Sequence, residues 1–177
     1  MPSRKAVCSE FKKVLLEDYE KNDDILRCLQ AYIGFLMEHS LHDDYKQFTQ
    51  WQIKDMCMST YNKNVDMRKT ALETLWRYTR RGGKSQKMSM LAVFGSLMDL
   101  KVVWRATYTD QLGQVSEWFN MNPFVSENKI SSLNMIGVFN SPDINISVLS
   151  EAKSSSRGTD WLFNDEGGWC YKNHKKH

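Results

Sequence analysis

A chain of 177 residues, 41% of them hydrophobic, can bury one sizeable core but hardly two. With 24 basic and 21 acidic residues the net charge is only +3, so attraction to nucleic acid or to an anionic membrane must come from local clusters. The first twenty residues carry charges throughout their apolar positions, unlike a secretory signal, and no run approaches ~18 apolar residues; the chain is expected to be neither secreted by that route nor membrane-spanning.

Val7, Phe11, Val14, Leu15 and Tyr19 recur at steps of three and four with charges between them, which predicts an amphipathic helix from Arg4 to Tyr19. Asn22-Asp23-Asp24 interrupts it and offers an N-cap. Ile25, Leu26, Leu29, Tyr32, Ile33, Leu36 and Met37 then repeat the period more densely, so the second helix should be the more buried. Asp43 and Asp44 close that unit. Gln47 to Ser59 carries two signals: Trp51 with Ile53 and Met56 with Met58 alternate like a strand, while Thr49 is placed to cap a short helix. The alternation weighs more and predicts a strand. After the turn-like Tyr61-Asn62-Lys63-Asn64, Asp66 caps a third helix whose stripe of Met67, Ala71, Leu72, Leu75 and Trp76 runs to Arg80 and stops at Gly82-Gly83.

Met88, Met90, Ala92 and Phe94 alternate with Ser89, Leu91 and Val93, which reads as a strand buried on both faces, although period alone leaves a helix open. Lys101–Thr109 and Val115–Met121 alternate on either side of Asp110-Gln111-Leu112-Gly113 and predict a hairpin. Leu133–Phe139 and Ile144–Leu149 predict a second one across Asn140-Ser141-Pro142-Asp143. From Glu151 onward AKSSSRG and NDEGG cannot pack, so residues 151–177 are expected to be a mobile basic tail, with Trp161, Leu162, Phe163 and Trp169 able to dock back. The expectation is a single α+β domain over residues 1–150: N-terminal helices followed by a mainly antiparallel sheet with one packed helix.

Catalysis needs convergent groups, and the histidines, His39, His42, His174 and His177, sit after a helix and in the terminal tail. Gly82-Gly83-Lys84-Ser85 ends like a phosphate loop but lacks the upstream glycine and follows a helix. Cys8, Cys28, Cys57 and Cys170 have no metal-ligand spacing, and Cys28 and Cys57 lie among apolar neighbours as core thiols do. No catalytic residue, metal or cofactor is expected. The feature above background is basic: Arg68, Lys69, Arg77, Arg80, Arg81, Lys84 and Lys87, with few acids between them, which suits phosphates on RNA or on anionic lipid.

Tyr45 to Ser96 resembles the core of rhabdovirus matrix proteins, in which an apolar strand (here Phe48–Met58) leads into a Trp-bearing helix (Asp66–Arg80, with Trp76). A Gly-and-basic turn (Gly82–Lys84) and an apolar segment ending in small residues (Met90–Ser96) follow. Pro2, Pro123 and Pro142 are the only prolines, so the proline-rich arm and late-budding motif of many animal-virus members are missing. The compact length is more like that of the matrix proteins of plant-infecting cytorhabdoviruses. The resemblance implies a non-enzymatic virion protein that self-associates, condenses the viral nucleocapsid and its RNA, and lies under an anionic membrane in contact with the viral glycoprotein, in the virion, the host cytoplasm and at inner membrane surfaces. The alternative is a winged-helix DNA-binding protein, such as a plasmid or phage replication initiator, with Thr49–Ser59 and Asp66–Tyr78 as its helices and Lys101–Met121 as its wing. A helix over Phe48–Met58 favours the winged arrangement, and a strand favours the matrix one.

Overall fold

The N-terminal helix α1, Arg4–Asn22, starts where Ser3 Oγ accepts the Ala6 amide at 3.2 Å and ends at Asp23, which takes the left-handed conformation (φ 51°). Asp24 then caps α2, Ile25–His39, its Oδ1 accepting the amides of Leu26 and Arg27, both at 3.1 Å. The carboxylate therefore satisfies two of the four amides that a helix start leaves open. In this computed structural model residues 2–39, 48–60, 83–106, 116–125, 127–131, 136–140, 143–150 and 159–164 are described. The predicted helix Asp66–Arg80 lies outside them.

As expected from its denser stripe, α2 is the more buried of the first pair, enclosing Cys28, Leu29, Tyr32, Ile33, Phe35 and Leu36. Phe35 packs on Phe11 of α1 (ring centroids 4.2 Å) and on Phe124 (5.1 Å). The Tyr32 hydroxyl donates to the Met90 carbonyl at 3.0 Å and accepts from Asn122 Nδ2 at 2.8 Å, so its polar tip is satisfied inside the core.

Gln47 to Ser59 is not a strand. Gln50–Ser59 forms helix α3, opened by Thr49, whose amide donates to Gln52 Oε1 at 2.9 Å, one arm of a capping box. The run read as a doubly buried strand is helical too: α4, Lys84–Leu97, begins at Gly83, whose φ of 74° favours glycine. The correction has a simple cause. A helix enclosed on all sides shows no amphipathic period, and Met, Leu, Ala and Phe outnumber the one β-branched residue, Val93.

The sheet has the order β2-β3-β4-β1-β5, with β1 Val102–Ala106, β2 Glu127–Ser131, β3 Ile136–Asn140, β4 Asn145–Ser150 and β5 Trp161–Asn164. It is mixed rather than mainly antiparallel: β4 and β5 both run parallel to β1, with Val102 opposite Ile146 on one side and Trp161 on the other. The β2–β3 and β3–β4 ladders are antiparallel. The hairpin expected across residues 140–143 is present, with Asn140 paired to Asn145. The one expected over Lys101–Met121 is not, because 116–121 is a short helix that sets Phe119 edge-on to Trp104 at 5.3 Å. The proposed wing is thereby removed.

Helices first and strands after is the α+β arrangement, with α4 packed on β1, β4 and β5, α3 and α2 against α4, and α1 against α2. Ser96 ties α4 to β4, its hydroxyl donating to the Asn145 carbonyl at 3.1 Å and accepting the Asn145 amide at 2.8 Å. Of the segment read as a tail, Trp161–Asn164 belongs to the sheet as β5.

Candidate functional site

Among the described residues no three His, Cys, Asp or Glu side chains converge as a metal site would require. Cys8 and Cys28 are buried, and loss of hydration pushes both thiols up to about 11; burial raises Cys57 as well. Such thiols are poor nucleophiles at neutral pH.

Of the seven basic residues singled out by the sequence, Arg68, Lys69, Arg77, Arg80 and Arg81 lie outside the described residues. Lys84 and Lys87 open α4 and have opposite surroundings. Lys84 is half-buried, whereas Lys87 is buried at 0% exposure, so its expected role as a surface contact is corrected. Its ammonium lies 4.2 Å from the centroid of the Trp51 ring, a cation–π distance. Burial lowers the Lys87 pKa from its ordinary value, and the nearby Asp55 carboxylate opposes that shift. Lys87 thus binds α4 to α3 rather than to a partner.

The exposed side of α3 was missed because a strand reading puts Trp51 and Ile53 together. As a helix, it turns Ile53, Met56 and Cys57 inward, and sends Trp51, Lys54 and Met58, spaced i, i+3 and i+7, to the outside. Trp51 is 48% exposed and Met58 72%, large values for apolar side chains. The signal that would have found this face is Thr49-Gln50-Trp51-Gln52, a helix-start pattern. One face of Trp51 covers Lys87 while the rest of the indole meets solvent, and Lys84 stands one turn before Lys87 on the flank of α4 nearest α3. Trp51 and Lys87 thus meet where α3 packs on α4, with Lys84 one turn earlier on α4.

No family model, curated protein or solved structure matches this chain. Among the described residues no helix is long and apolar enough to cross a membrane.

Proposed function

We propose that the chain is a non-enzymatic assembly protein of the viral matrix type, which attaches peripherally to an anionic membrane face and holds ribonucleoprotein against it. The observation that supports this best is the outward Trp51–Lys54–Met58 face of α3 beside Lys84. Indole and thioether groups on a helix with flanking cations suit the boundary between headgroups and acyl chains. Each lysine near an anionic surface contributes about 1 kcal/mol, and burial of on the order of 100 Å² of apolar surface by Trp51 and Met58 adds about 2.5 kcal/mol. The rhabdovirus label itself rests on the resemblance, and that resemblance has lost its strand at Phe48–Met58.

The measurement is co-sedimentation with phosphatidylserine vesicles. The parent is expected to bind, high salt to weaken binding without abolishing it, and W51A/M58A to weaken it about tenfold or more, as about 1.4 kcal/mol per decade requires, with M58A alone, which keeps the Trp51–Lys87 contact, weakening it in the same direction. Equal binding by the double variant would remove α3 from the interface. A second reading, contact with nucleic acid through the same junction, is favoured by the helical state of residues 50–59. In that case RNA binding should fall in W51A/M58A while vesicle binding does not.

A further inference from the structure

The outward face of α3 has a positive charge buried directly behind it. Lys87 is 0% exposed, and its ammonium lies over the Trp51 ring, 4.2 Å from the centroid, while Trp51 itself stays 48% exposed. Burial favours discharge of that lysine; the Asp55 carboxylate acts the other way and supports the ammonium. An indole held between a fixed cation and solvent differs from an ordinary surface tryptophan. The negative face of an aromatic ring attracts cations, and quaternary ammonium groups such as choline are bound in this way. At Trp51 that attraction is already engaged by Lys87, whose own charge acts across the ring.

A choline nitrogen on the solvent side of the ring, at a usual ~5 Å from its centroid, would stand about 9 Å from the Lys87 ammonium. Repulsion over that distance weakens binding about twofold in bulk water and about twentyfold at an effective dielectric of ~20, the value for pairs near a protein surface. The cation–π attraction of an exposed ring strengthens it only about two- to fivefold. Repulsion therefore cancels or outweighs attraction for a quaternary ammonium, and the same field draws in a phosphodiester. Lys54 is exposed and Lys84 half-buried, so salt screens them over ~8 Å; Lys87, enclosed by protein, is screened less.

We propose that Lys87 sets the headgroup selectivity of the α3 face: from behind Trp51 its ammonium turns the indole away from choline headgroups and toward anionic phosphodiester headgroups such as phosphatidylglycerol. The inference rests on the membrane reading of that face and adds which surface it refuses. Lys87 does this through Trp51, without touching lipid.

Two measurements on the full-length chain test this. The first contains no lipid. Trp51 emission, taken as the difference between a protein and its W51F version, is quenched by iodide and by caesium at constant ionic strength, each referred to N-acetyltryptophanamide. The iodide-to-caesium ratio of the parent should exceed that of K87M about threefold or more, and the excess should persist at higher ionic strength, where the smaller change in K84M fades. In K54M/K84M, which keeps Lys87 and serves if K87M does not fold, Trp51 should still favour iodide. Equal ratios in the parent and K87M, or no preference for iodide in K54M/K84M, would overturn the proposal. The second is partition onto phosphatidylcholine vesicles with and without phosphatidylglycerol. K87M, its near-ultraviolet circular dichroism unchanged, should bind pure phosphatidylcholine more tightly and lose about threefold or more of the parent's preference for phosphatidylglycerol. A bound K87M with the parent's preference removes the selectivity alone, whereas a parent that binds neither vesicle removes attachment and selectivity together.

Discussion

Lys87 puts an ammonium where a hydrocarbon would ordinarily go, under the ring of Trp51 and within reach of the Asp55 field. Because burial lowers its pKa in the fold, the unfolded chain binds more protons between that lowered value and the ordinary 10.5, and unfolding free energy rises with pH across that window. Below the window both states are charged and the burial penalty is present in full. In urea titrations at about pH 7 and about pH 10, the stability of the parent relative to K87M should therefore shift in the parent's favour at the higher pH. A pH-independent difference would place the ammonium in water. The sequence showed Lys87 as one of a row of cations, and its burial one turn into α4 under Trp51 is what separates it from the half-buried Lys84. Residues 87, 90, 91 and 94 share one buried flank of that helix, which the strand reading of 88–94 had broken up.

At the scale of elements, what could be read was whatever is decided locally. Asp24 and Ser3 cap helices from positions next to clear 3.6-residue stripes, and β3 and β4 are paired strands close together in sequence, so α1, α2 and that hairpin follow from adjacent residues. The buried α4 has no such stripe, and the partners of β1 lie 40 or more residues away, where no local pattern points to them. The same logic gives a prediction for α2. Gly34 lies inside that helix, exposed, with nothing within 4 Å of where a Cβ would stand. G34A should raise stability by about 0.5–1 kcal/mol through helix propensity and a less disordered unfolded chain. Thermal or urea unfolding checks it, and a loss of stability would mean that another surface closes on Gly34. Of the candidate site, the cations were legible from composition, but Trp51 and Met58 were not recognised as sharing one face until α3 was seen to be helical.

Across the whole molecule, Cys8 and Cys28 act as reporters of the complete fold, since one packs against the 122–125 turn and the other between α1 and α2. With both thiols held near 11 by burial, a thiol reagent at about pH 8 should label them at rates that track global unfolding, while the half-buried Cys57 reacts sooner. Above pH 9 the unfolded chain forms thiolates that the fold resists until about pH 11, so stability falls through that interval. Native labelling of Cys8 and Cys28 as fast as in denaturant would show that this core is open. The strand order has a consequence in time as well as in space. Both neighbours of β1 are later strands, β4 and β5, so roughly 60 residues must still be translated after Ala106 before the second of them exists. At about 5–20 residues per second the ribosome takes roughly 3–12 s over them. Until Ser150 has been made Val102-Val103-Trp104 has neither flanking strand, and until Asn164 has been made one edge of β1 stays open to pairing.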